Sequence, residues 1–189
     1  MKKLVLFACT VLAFAACAPD SDPLAAAIVA EMTKDIDQPC KINVSHLQKI
    51  DSTDFATEFQ RRISIYDIRL QQNAVRMQKY VREGKTNNAS RMYEELKKDT
   101  KIFDELNALK EMMGDDTLKV AYYDYSFTYG GKVGSQRLPV KQAFATITPD
   151  GRVLTYAAEQ RDLHKATGLV IPGYKELLDS FKNEAKEEE

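Results

Sequence analysis

The chain has 189 residues, with 27 Lys and Arg against 28 Asp and Glu, two His, three Cys and no Trp. That near balance lacks the basic excess that binds phosphate backbones, so no nucleic-acid partner is expected. The length and a 44% hydrophobic content suit one domain with one sizeable core.

Met1-Lys2-Lys3 is a short basic start, and Leu4 to Phe14 is an apolar run too short to span a bilayer. Phe14-Ala15-Ala16-Cys17 then places small residues before a cysteine, which reads as a signal peptide over residues 1–16. The stretch resembles the bacterial lipoprotein class, in which cleavage precedes a cysteine that carries the lipid. Phe14 stands where that class usually has a Leu-like residue. Cutting at Cys9 would leave too short an apolar core, and the alternative to lipidation is plain secretion with cleavage after Ala16. The resemblance implies a lipid on Cys17, a tether over residues 17–22 and the membrane as partner. Each buried acyl CH2 contributes about 0.8 kcal/mol, so several chains anchor stably. Ala18 stands where an Asp would retain the protein in the inner membrane, so the implied address is the outer membrane, with the body facing the periplasm or the cell surface. Asp20 and Asp22 resemble a surface-export signal, and they also suit a solvated linker.

Loss of Lys2 and Lys3 leaves 25 basic and 28 acidic residues, a net charge near −3. With Cys9 removed and Cys17 acylated, Cys40 stands alone; no internal disulfide is expected, and a lone cysteine is most often a small buried hydrophobe. His46 and His164 without a partner cysteine do not make a zinc site, so neither metal nor cofactor is expected. No second run of about 20 apolar residues occurs.

Asp22-Pro23 before Leu24, Ile28 and Met32 predicts a capped helix ending near Asp35, short of Pro39. Cys40, Ile42 and Val44 alternate with polar residues, as in a half-buried strand to Ser45. Asp51-Ser52-Thr53-Asp54 supplies capping oxygens before Phe55, Phe59, Ile63, Tyr66, Leu70, Ala74, Met77 and Val81, a long amphipathic helix that Gly84 stops. A second helix from Thr86 carries Met92, Leu96, Phe103, Leu106, Leu109 and Met113, and the two fold back as a hairpin with charged outer faces. After Gly114-Asp115-Asp116, Thr117–Tyr129 reads as a strand, Gly130, Gly131 and Gly134 as a turn, Val140–Thr148 as a second strand, Pro149-Asp150-Gly151 as a hairpin turn and Arg152–Ala157 as a third strand. Leu163–Pro172 reads as a loop or short strand, and Tyr174, Leu177, Leu178 and Phe181 mark a final helix.

The expected fold is therefore α+β: a long antiparallel helical hairpin packed on a three- to four-stranded antiparallel β-meander, with a C-terminal helix. The body spans residues 23–182 as one domain, followed by an acidic frayed tail over 183–189. Tyr123, Tyr125, Phe127 and Tyr129 share one strand face, a stacking platform or a packing surface against the hairpin. Asp51-Ser52-Thr53 and Asp116-Thr117-Leu118 resemble acceptors of a bacterial O-glycosylation system, with Ser52 and Thr117 as the modified residues; a capping run and a turn explain the same residues. His164 near Glu159 and Asp162 lacks a nucleophile or paired carboxylates and reads as a surface histidine, so no catalytic residue is assigned. Lys97, Lys98, Lys101 and Lys110 among Glu94, Glu95, Asp99 and Glu105 read as an ion-paired surface. The functional expectation is a membrane-anchored, non-enzymatic envelope lipoprotein with an envelope protein partner. The alternative is a small-ligand or glycan binder using the Tyr122–Tyr129 strand.

Overall fold

The computed structural model describes residues 22–165 and 167–187. Cys17, the signal peptide and most of the tether lie outside the described residues. Helix α1 (Pro23–Thr33) leads into strand β1 (Cys40–Asp54), the long helices α2 (Phe55–Arg82) and α3 (Thr86–Met113), then strands β2 (Val120–Val133), β3 (Gln136–Ile147) and β4 (Val153–Ala157), and finally α4 (Tyr174–Glu187). The four strands form one antiparallel sheet in sequence order. The α+β class, the paired long helices, the meander and the C-terminal helix stand as expected.

Local chemistry accounts for the boundaries. Asp22 Oδ1 accepts from the Leu24 amide at 2.9 Å and Pro23 opens α1. Asp54 Oδ1 accepts from the Thr57 amide at 2.7 Å and caps α2, which satisfies one of the free donors of the first turn. Gly84 and Gly114, both at positive φ, end α2 and α3.

The strands run further than their alternation indicates. β1 continues nine residues past Ser45, through a bulge between Ser45 and Gln48 where His46 adopts φ 52°. A bulge inserts an unpaired residue and shifts the inward set by one position, which interrupts the period-two signal. Gly130 and Gly131 lie inside β2, and the turn falls at Gly134-Ser135 instead. A side chain on Gly131 would put Cβ 1.9 Å from the Lys41 carbonyl oxygen, so glycine there permits strand pairing. The segment between β4 and α4 contains two 3-10 turns, Gln160–Lys165 and Thr167–Val170, and no strand among its described residues. Helix α4 continues to Glu187, so the expected frayed tail is helical over most of its length.

Two apolar clusters hold the body together. Phe59, Ile63 and Tyr66 of α2, Ile102 and Leu106 of α3, Ile171, and Tyr174 and Phe181 of α4 form one. Ile28 of α1 packs with Phe127, Ala143, Ala145 and Ile147 to form the other. The aromatic row of β2 therefore lies beneath α1 and not beneath the hairpin. The hairpin meets the opposite sheet face through the first turns of α2, and polar groups make that junction.

Candidate functional site

Glu58 is fully buried at the start of α2. Its Oε2 accepts from Arg61 Nη1 at 2.7 Å and from the Tyr122 hydroxyl at 2.8 Å. Its Oε1 accepts from Arg62 Nε at 2.7 Å and from Thr167 Oγ1 at 3.1 Å. Arg61 Nη1 also bonds the Tyr122 hydroxyl, and Arg62 Nη2 donates to the His164 carbonyl at 2.7 Å and to Thr167 Oγ1 at 2.8 Å. Four donors on one carboxylate compensate its removal from water.

His164 closes the cluster. Its Nε2 lies 3.5 Å from Asp124 Oδ2, and its Nδ1 lies 3.3 Å from the Tyr122 oxygen and 3.4 Å from Arg61 Nη1. A carboxylate facing Nε2 favours the tautomer protonated there and leaves Nδ1 to accept from Arg61. Asp124 is buried, and its Oδ1 accepts from Thr146 Oγ1 at 2.7 Å. Burial pushes the Asp124 carboxyl above its usual range, against the opposing Thr146 hydrogen bond and the His164 ring. Burial likewise raises the Tyr122 phenol.

An Asp–His–Tyr chain beside two arginines invites comparison with acid-base sites, but its bonding is inward. Both imidazole nitrogens face protein groups, the tyrosine proton is directed to Glu58, the Glu58 carboxylate is occupied by Arg, Tyr and Thr donors, and Asp124 Oδ2, buried without a hydrogen-bond partner, faces the His164 ring. The arrangement works as a clasp joining α2, β2 and the 160–170 segment. The expectation of a surface histidine near Glu159 and Asp162 is corrected: His164 is 29% exposed at its side chain, and its partners come from β2 and α2. Glu159 pairs with Arg161 at 2.7 Å. Tyr122 and Asp124 share a strand face two residues apart, a pattern visible in the sequence, but nothing local ties it to residue 164.

The other candidate residues are dispersed. Phe127 is fully buried under α1, and Tyr125 and Tyr129 border the same cluster. Tyr123 is half-buried with Lys49 Nζ 4.6 Å from its ring centre. Ser52 is exposed on β1, where its amide bonds Asp51 Oδ1, and Thr117 Oγ1 donates to the Gly114 carbonyl within the turn after α3. Cys40 is a half-buried free thiol at the start of β1, donating to the Gln38 carbonyl at 3.2 Å. Among the described residues no group of His, Cys, Asp and Glu is placed to hold a metal ion, and no helix is long and apolar enough to cross a membrane.

The outer faces of the hairpin differ from a uniform charged surface. Asp99 is buried between α2 and α3, held by Arg69 Nη2 at 2.8 Å and near Asn73, and burial raises its carboxyl while Arg69 opposes the shift. Lys98 and Lys101 sit over the Phe181 ring at 5.6 and 4.8 Å. On α2, Ile65, Ile68 and Val75 are 42%, 52% and 65% exposed. With Arg61, Gln72, Lys79 and Arg82 they recur at alternating spacings of four and three, a seam of the kind that receives another helix. It points away from Phe59, Ile63 and Tyr66, and the periodicity of the buried face masks it in the sequence.

Comparison of the chain with protein-family models, curated proteins and solved structures finds no match.

Proposed function

We propose that the protein is a lipid-anchored envelope lipoprotein, held at the outer membrane through Cys17, whose body docks a partner protein on the outer face of α2. The single observation that carries this reading is the exposed seam of Ile65, Ile68 and Val75. Three large aliphatic side chains in register on one helix are costly to leave in water, and a partner helix would cover them at about 25 cal/mol per Å² of apolar surface. The seam is bordered by Lys79 and Arg82, and Arg76 stands beside it without an ion pair among the described residues. The complementary occupant is an amphipathic helix with an acidic margin. The inward bonding of the His164 clasp supports a non-enzymatic role.

Ile68→Asp with Val75→Asp tests this. Both positions are exposed, so unfolding free energy should change by no more than about 0.5 kcal/mol per site, while a partner cross-linked to the wild type should be lost. Retention of that partner by the folded double variant would overturn the reading. Arg69 is a poor probe of this surface, because reversing it strands the buried Asp99.

A further inference from the structure

The sheet face opposite α1 carries the His164 clasp at one end and an open groove at the other. The groove encloses about 520 Å³ and is lined by Lys41, Asn43 and Ser45 of β1, Tyr129–Lys132 of β2 and Arg137–Val140 of β3. Lys41 stands directly opposite Lys132, and Lys132 directly opposite Arg137. Residues opposed across antiparallel strands share a face, so three cations form one row across three strands. No Asp or Glu lines the groove, and none of the three cations makes an ion pair among the described residues.

Like charges directly opposed weaken a sheet, and two such pairs in succession repel unless an anion lies between them. Gly130 and Gly131 add no side chain to the groove, and the space beside them is taken by Val140 and by the Lys41 carbonyl, which brings the three strands close together beneath the row. Arg137 offers the planar fork that matches phosphate oxygens, and the two lysines add point charges. Beyond the cations, Asn43 and Ser45 supply neutral donors and acceptors, and Pro139 and Val140 an apolar edge. A volume of this size suits a small molecule rather than a lone ion.

We propose that this groove binds a phosphate-bearing ligand, with the phosphate across Lys41, Lys132 and Arg137 and the remainder along Asn43 and Ser45. The chemistry is common to a soluble phosphate ester and to a phospholipid headgroup from the membrane that the anchor would reach. The site is independent of the α2 seam, which lies on the hairpin.

The full lipid-anchored chain, purified in neutral detergent, is titrated calorimetrically with pyrophosphate, glycerol phosphate and monomeric dihexanoyl phosphatidic acid. The wild type should bind pyrophosphate at one site, and Lys132→Gln with Arg137→Gln should weaken binding at least ~10-fold, the effect of losing two charged donors. Arg91→Gln with Lys97→Gln, an equal change of charge on exposed α3, should leave binding unchanged. Without ligand, the groove variant should melt no lower than the wild type, because its cross-strand repulsion is gone. Phosphatidic acid binding ~10-fold more tightly than glycerol phosphate assigns the site to lipid headgroups; equal binding assigns it to soluble esters. No pyrophosphate binding by the wild type, or equal weakening by the α3 variant, overturns the proposal.

Discussion

Glu58 shows how a buried charge is tolerated when every lone pair is used. Its carboxylate pairs with both Arg61 and Arg62 while accepting from Tyr122 and Thr167. Replacement by Ala would leave Arg62 buried without its counterion, and a broken buried pair costs about 3–5 kcal/mol. Glu58→Ala should therefore lower the unfolding free energy by that amount in urea titrations; a loss under about 1 kcal/mol would mean water already screens the cluster. Asp124 behaves differently because burial raises its carboxyl above the ordinary value of 3.8. A raised folded value means that the native state holds the proton more tightly than the unfolded chain. The stability it contributes is complete below the ordinary range and is lost as pH rises through the raised value. Asp124→Asn keeps an acceptor for Thr146 and cannot ionise. Relative to the wild type, this variant should gain stability as pH climbs from about 4 through the raised value, read from urea midpoints across a pH series. A difference that stays constant or shrinks with rising pH would contradict this.

At the scale of elements, the helices were the more legible part of the sequence. Phe59, Ile63, Tyr66, Ile102 and Leu106 repeat at helical spacing and all reach the core, and Gly84 and Gly114 mark where α2 and α3 stop. The strands were legible only where alternation was undisturbed. The Ser45–Gln48 bulge hid the second half of β1, and the Gly130-Gly131 pair resembled a turn because both turns and closely approaching strands need a residue without Cβ. Gly131→Ala distinguishes these roles. It should destabilise the protein by about 1–3 kcal/mol, as overpacking does, with amide exchange accelerating at the Cys40 end of β1. A neutral effect would place Gly131 away from the Lys41 carbonyl. The clasp was the least legible element, since Glu58, Tyr122 and His164 are separated by 64 and 42 residues and meet only through the fold. Glu58 and Arg62 carry no sequence signal that sets them apart from the charged outer faces of the hairpin, because charge alone does not report burial.

At the scale of the whole molecule, the polar clasp binds the α2–α3 hairpin, the α1-backed sheet and the 160–170 segment into one body. Two surfaces are left open, the outer face of α2 and the sheet-tip groove; the groove shares no residue with the clasp, and the α2 face meets it only at Arg61, which is turned inward onto Glu58 and Tyr122. Lipid on Cys17 would hold this body at the membrane on a tether of a few residues. Cys17→Ala should move the protein from the membrane to the soluble fraction with its melting temperature unchanged; sedimentation with membranes regardless would place the attachment elsewhere.

Docking of a partner helix on the α2 outer face is read by a photo-crosslinking amino acid at position 68 of the otherwise native chain in intact cells, compared with the same probe at exposed position 142 on the sheet. One discrete adduct is expected from position 68, absent from position 142 and lost on adding Val75→Asp. A folded, membrane-bound protein that gives no adduct from position 68, or the same adduct from both positions, would contradict it.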